Sequence, residues 1–254
     1  MSPPNELPRS VQNVTKTAPS AAVSEPREVP AGPFSEWLRA THRARKLEVI
    51  GAEVPCGSCI GCCRASLFIH IRPDETATLA RIPKRLLFPA PGLPKGNVLL
   101  GHDEQGRCPM LVNERCSIYE DRPQTCRDYD CRVFAASGID VDQTAAGEIA
   151  ERVRAWKFSH PTDIDSREHA AVRAAGKFLT EHAAAFLDGA LPPNPVQLAL
   201  LAVRAYELFV RLNDASAAGQ PLPAPEQIAQ AILPEPEAGA ALHQAPKQKN
   251  SRHR

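Results

Sequence analysis

Eight cysteines lie between Cys56 and Cys131, and the rest of the 254 residues contain none. The stretch CGSCIGCC carries Cys56, Cys59, Cys62 and Cys63, and Cys108, Cys116, Cys126 and Cys131 follow at wider intervals. The pattern is C-x2-C-x2-C-C, then 44 residues, then C-x7-C-x9-C-x4-C. A two-residue gap lets two sulfurs converge on one ion with backbone amides turned towards them. Three thiols at that spacing wrap one corner of a site, as in the runs that hold iron–sulfur clusters. The fourth ligand then comes from Cys108, Cys116, Cys126 or Cys131. Neighbouring side chains in an extended chain point apart. One of Cys62 and Cys63 therefore serves a second metal, bridges within a cluster, or stays a free redox thiol. Eight thiols allow two four-thiolate sites, or one cluster with spare thiols.

Composition narrows the setting. The charges nearly cancel, at 30 basic against 29 acidic residues, so no overall field points to nucleic acid. The opening MSPPNELPRS has no basic stretch followed by an apolar run, which reads against a secretory signal. The longest apolar stretch, Val196 to Leu212, is interrupted by Arg204, Glu207 and Arg211, a pattern unlike a membrane span. The expected location is the cytoplasm, where thiols stay reduced. There, clustered cysteines read as metal ligands or redox groups before disulfides. Motifs for phosphate loops, dinucleotides, a serine nucleophile elbow and a radical-SAM loop do not occur.

The elements that must position the cysteines can be read around them. Residues 1–33 are proline-rich and expected to be a disordered tail. A helix is expected from Ser35 to about Leu47, with Trp37, Leu38 and Ala44 on its apolar side. Leu67 to Ile71 reads as a strand, and Pro73-Asp74-Glu75 as a helix start running to about Arg81. Asn97 to Leu100 and Met110 to Val112 read as strands of an antiparallel ribbon around a turn at Glu104-Gln105-Gly106. Ala146, Ile149, Ala150, Val153 and Trp156 then recur at helical spacing. A second helix is expected from an N-cap at Ser166 to near Gly189, with Val172, Phe178, Leu179 and Phe186 inward. A third follows Pro195, and Gln227 to Leu233 adds a short last one. The basic end is expected to be disordered.

The stretches CGSCIGCCR and CPMLVNERCSIYEDRPQTCRDYDC resemble the CxxCxxCC cysteine-cluster family, YkgJ-like and described as zinc- or iron-chelating. The resemblance spans Cys56 to about Cys131. It implies metal ligands at Cys56, Cys59, Cys62, Cys63, Cys108, Cys116 and Cys126, with Cys131 as the eighth. Ile118-Tyr119 and Arg122-Pro123 match the family's IYxxRP element, and Arg127 its arginine after the cysteine. Flagellin lysine-N-methylases are distantly similar over the cysteine region. The missing nucleotide-binding glycines weigh against carrying their activity over.

Four thiolates around Zn²⁺, or around a [4Fe–4S]²⁺ cluster, leave a net charge of about minus two. Arg64, Arg122 and Arg127 are candidates to offset it by hydrogen-bonding sulfur. Tyr119 is the remaining neighbour, read as a packing residue. His70 and His102 are minor ligand candidates. The sequence thus points to a mainly α chain with a small metal-stapled α+β cysteine core and a helical C-terminal half. Its expected division is 1–33, 34–138, 139–233 and 234–254. The expected function is iron–sulfur binding with an electron-transfer or redox role and an unnamed protein or redox partner. A structural zinc module with a helical interaction surface, or a cluster-dependent methyl-transfer or other enzyme, are the alternatives. No nucleic-acid site is expected.

Overall fold

The computed structural model describes residues 28–47, 54–141 and 147–233. Phe34, Trp37 and Leu38 recur at helical spacing, and all three are buried on helix α1 (Phe34–Leu47). The side chain of Ala44 lies outside the described residues. Strand β1 (Val29–Pro33) precedes the helix and falls inside the segment read as a tail. It pairs in parallel with a late strand, β7 (Trp156–Ser159), from Val29 opposite Trp156 to Pro33 opposite Ser159. Two prolines hide β1 in the sequence, yet proline is tolerated on a sheet edge where its missing N–H faces away from the ladder.

The cysteine-bearing segment builds small antiparallel pieces. Strands β2 (Ile69–Ile71), β3 (Leu87–Pro89) and β4 (Val98–Leu100) form one sheet in the order β2-β4-β3. Helix α2 (Thr76–Arg81) lies between β2 and β3 in the chain. A separate hairpin joins β5 (Leu111–Val112) to β6 (Arg115–Cys116), with Leu111 opposite Cys116. Its turn residues Asn113 and Glu114 both have positive φ, 48° and 58°, the conformation of a tight two-residue hairpin turn. The ribbon expected between Asn97–Leu100 and Met110–Val112 is therefore not formed. Both edges of β4 are already taken by β2 and β3, and β5 finds its partner four residues on. The turn at Glu104-Gln105-Gly106 closes on itself, with Gly106 N donating to Asp103 O at 2.9 Å. Ile71, Ile82, Leu100 and Ile118 form the small core beneath these pieces.

Helix α3 (Gln124–Asp128) and helix α4 (Arg132–Ser137) lead into the helical half. Helix α5 (Gly147–Ala155) stops one residue before Trp156, which starts β7 and does not end the helix. The alternation Trp156, Phe158 is a strand pattern with large aromatics on one side. Helix α6 (Asp163–Glu181) begins three residues before the expected N-cap. Thr162 is the cap, accepting from Asp165 N at 3.4 Å, while Asp165 accepts from Thr162 N at 3.0 Å. This is a capping box with Asp where Glu or Gln is usual. The helix ends at Glu181, well before Gly189, and a short 3₁₀ turn follows at Ala183–Ala185. The helix expected after Pro195 is two: α7 (Pro195–Arg204), capped by Asn194, and α8 (Tyr206–Ala217). Ala205 sits between them, and its carbonyl restarts the ladder by accepting from Leu208 N and Phe209 N. Helix α9 (Pro225–Ile232) closes the described chain.

These helices share the larger core, which runs from Phe34 and Trp37 through Val172 and Leu179 to Val203 and Phe209. One close approach depends on a missing side chain. A Cβ on Gly176 of α6 would sit 2.2 Å from the carbonyl oxygen of Ser137 in α4. Among the described residues, no helix is long and apolar enough to cross a membrane.

Candidate metal centre

Tight turns shape the loop that carries the first four cysteines. Cys56 N donates to Val54 O at 2.7 Å, Cys59 N to Cys56 O at 3.0 Å, and Cys63 N to Ile60 O at 2.8 Å. Gly57 has a φ of 59°, which turns the chain just after Cys56 at no steric cost. Gly61 to Arg64 form a 3₁₀ turn that carries Cys62 and Cys63. Gly61 is buried, and a Cβ there would lie 3.2 Å from the backbone of Glu148 and Ile149. The cysteine loop therefore rests against α5.

One group of thiols gathers on the larger core. Cys131 is 6% exposed and belongs to that core, and Cys62 packs against it. Trp156 Nε1 donates to Cys131 Sγ at 3.2 Å. The Arg152 guanidinium lies 4.3 Å over the Trp156 ring and donates to the carbonyls of Pro55 and Cys56 at 3.0 Å each. Asp130, beside Cys131, accepts from Trp37 Nε1 at 2.9 Å and holds Arg132 in a buried ion pair at 2.8 Å. Arg132 in turn donates to Ala31 O at 3.2 Å. The segment around Cys131 is thereby tied to α1, β1 and β7.

The electrostatics agree with this grouping. Burial pushes the Cys62 thiol far above the usual thiol range, and Cys131, Cys56, Cys59 and Cys63 add to it in that order. Burial raises Cys131 to about 11, against which the Trp156 hydrogen bond works, while Asp130, Cys56 and Cys59 raise it further. Cys56 is also raised, by burial and then Cys59, and Arg152 opposes. The Tyr129 phenol is pushed up by burial and then by Cys62 and Cys131.

A second group gathers on the small core. Cys108 N donates to Cys63 O at 2.7 Å, and Leu111 N to Cys108 O at 2.9 Å. The β5–β6 pairing then sets Cys116 opposite Leu111. Cys108 and Cys116 both pack against the small core. Cys126 sits on α3, which Thr125 anchors by donating to His70 O at 2.6 Å. Burial pushes Cys63 up to about 12, followed by Cys108 and Cys116, with Cys59 and Cys56 after them. Cys126 is exposed as a whole residue. Burial of its thiol is nonetheless the first cause of a rise to about 12, followed by Cys108, Cys63 and Cys116.

All eight cysteines are free thiols. Among the described residues, no three His, Cys, Asp or Glu side chains already stand where they could hold a metal ion. Each thiol must lose its proton to become a ligand, and a bound cation supplies the reason to do so. The donor set fits such a cation: eight thiols, an N–H on one sulfur and the Arg152 guanidinium beside the first group.

The arginines read from the sequence are engaged elsewhere. Arg64 pairs with Glu114 and, at 2.7 Å, with Glu148. Arg122 stacks 4.0 Å over Tyr119 and donates to its carbonyl at 2.8 Å. Arg127 donates to the carbonyls of Arg122, at 3.1 Å, and Glu120. Arg122 does lower the Cys126 thiol through its charge. Tyr119 is 55% exposed, so it is not a packing residue of the core. His70 faces Asn97 at 2.8 Å, and His102 lies against Phe68. The groups the sequence did not single out are Trp156, Arg152, Arg132 and Asp130. Trp156 was visible only as an inward aromatic. Nothing in its spacing, 25 residues beyond Cys131, marked it as a sulfur's partner.

Residues 55–146 match the family model CxxCxxCC, "Putative zinc- or iron-chelating domain". No curated protein and no solved structure matches the chain. The family match supports metal binding through these cysteines, and its description names zinc and iron alike.

Proposed function

We propose that this chain is an iron–sulfur protein, with Cys56, Cys59, Cys62 and Cys131 as ligands of a redox-active cluster. The observation that carries the reading is the hydrogen bond from Trp156 to Cys131 Sγ at 3.2 Å inside the larger core. A thiol needs no such donor, whereas a metal-bound thiolate gains from it, and N–H···S bonds with burial set a cluster's potential. Three ligands from one short CxxCxxC loop with a remote fourth suit a cluster better than zinc, which more often takes two separated CxxC pairs. The cluster supplies one-electron redox chemistry when bound. The chain's part is to bury it, to place Arg152 where its charge offsets the thiolates, and to leave it near the surface through Cys56.

A structural zinc module is the second reading. It is favoured by the small core, whose four buried residues are few for an independently stable unit. A thiolate-bound zinc contributes about 10–16 kcal/mol of folding energy in small domains. The helical half would then be the interaction surface.

The test is purification without oxygen, followed by a visible spectrum and assays for iron, acid-labile sulfide and zinc. Brown protein that bleaches on reduction, with iron and sulfide in equal amounts, is the expected result. Colourless protein containing zinc alone would overturn the iron–sulfur reading and leave the structural one.

A further inference from the structure

The adjacent pair Cys62-Cys63 belongs to neither of two ordinary motifs, and the fold treats its two members differently. They sit on successive positions of a 3₁₀ turn, Gly61–Arg64. Such a turn has three residues per revolution, so neighbouring side chains leave it about a third of a circle apart. Cys62 leaves towards the larger core, the one that contains Cys131 and Trp156. The backbone of Cys63 is tied the other way, its carbonyl accepting from Cys108 N at 2.7 Å. Cys108 and Cys116 belong to the small core. Across one peptide bond the chain thus passes from a residue packed on the larger core to one tied through its carbonyl to Cys108 of the small core.

We propose that the chain carries two separate four-thiolate metal centres divided at the Cys62–Cys63 bond. Cys56, Cys59, Cys62 and Cys131 form one, and Cys63, Cys108, Cys116 and Cys126 form the other. The division rests on the metal-binding reading above but not on its choice of metal. Each centre takes a cation that favours thiolates, zinc or iron, and each thiol gives its proton to solvent as it binds.

The division accounts for three features together. Every cysteine is used once. The tandem pair becomes a requirement, because one short turn must feed two centres. The second set's wide spacing, x7 and x9, stops being anomalous, because a hairpin and a helix separate its members in the fold.

The test titrates the metal-free, full-length protein with Zn²⁺ alone under reducing conditions. Bound zinc is counted, and thiols left reactive to a chromogenic disulfide reagent are counted beside it. Wild type should saturate at two zinc ions with all eight thiols protected. The double variant Cys56→Ser/Cys59→Ser should bind one zinc and leave two thiols reactive, those of Cys62 and Cys131. The double variant Cys116→Ser/Cys126→Ser should also bind one zinc and leave Cys63 and Cys108 reactive. Saturation of wild type at one zinc with four thiols protected would overturn the division, and so would loss of all zinc from either folded variant. The wild-type counts decide the matter even if a variant does not fold. Iron and sulfide found in the native protein bear on the preceding reading, whereas these counts bear only on the division.

Discussion

Replacing Trp156 by Phe removes one hydrogen-bond donor and keeps an aromatic ring in the core. The donor reaches Cys131 Sγ at 3.2 Å, and the indole is 4% exposed, so water does not readily replace it. A hydrogen bond to a neutral acceptor is worth about 0.5–1.5 kcal/mol net, and one to a charged acceptor about 1.5–3 kcal/mol. Metal binding turns a thiol into a thiolate, so the difference, about 1–1.5 kcal/mol, is what the variant loses on binding. At about 1.4 kcal/mol per tenfold, that is a roughly five- to twelvefold weaker zinc affinity at this centre. The low end of the ten- to hundredfold range for groups that orient metal ligands agrees. The assay is competition for Zn²⁺ against a chromophoric chelator. Trp37→Phe is the control, because Trp37 shares the core but donates to Asp130 and not to sulfur. Both variants should lower the melting temperature, and only Trp156→Phe should weaken the metal. Equal affinities for wild type and a folded Trp156→Phe would refute the reasoning and reduce Trp156 to a packing residue.

Gly176→Ala would drive a methyl to 2.2 Å from Ser137 O. Overpacking of this kind costs about 1–3 kcal/mol. At about 2–4 °C per kcal/mol, circular dichroism should show melting lowered by roughly 2–12 °C with zinc stoichiometry unchanged. His169 is pulled down to about 4 by burial first, then by His160 and Arg173. Its ring stacks on Phe34 at 4.2 Å. The unfolded chain takes this proton near pH 6.5 and the folded one only near 4. Stability from this residue is therefore present above about 6.5 and lost as pH falls towards 4. Denaturant titrations across that window should show the slope in wild type and a flatter one in His169→Phe. Asp165 is held below the usual carboxylate range by hydrogen bonds from Thr162 and from Ser35 N. Its stabilising effect is present above about pH 4 and fades as acid protonates it, so Asp165→Asn should remove part of the acid-unfolding transition.

Periodicity made most of the helices legible. Trp37 and Leu38 mark α1, and Val172, Phe178 and Leu179 mark α6, because a buried helical face leaves a 3.6-residue trace. Boundaries were lost where chemistry deviated from habit. Thr162 with Asp165 makes a capping box in a variant form, and Ala205 divides a run that looks continuous. The β1–β7 pair was invisible because parallel pairing across some 125 residues leaves no local signal, and Trp156 fits both a helix face and a strand. The cysteines named themselves through spacing. Their grouping did not, since it depends on which core each later cysteine lands on. Cys131 lands beside Trp156 and Asp130, and Cys116 on a hairpin over Ile118's core. The arginines singled out from the sequence, Arg64, Arg122 and Arg127, are committed to carboxylates and carbonyls. Arg152 reaches the first group through a tertiary contact, and Arg132 beside Cys131 is held by Asp130.

The measurement that tests the central claim most directly is X-ray absorption at the iron and zinc edges on protein purified without oxygen. The account predicts an iron edge with a first shell of sulfur alone and a further shell of neighbouring iron. Any zinc present should also see only sulfur, at about 2.3 Å. A first shell of nitrogen or oxygen would contradict it, because thiols that gather on two cores would then not be the ligands.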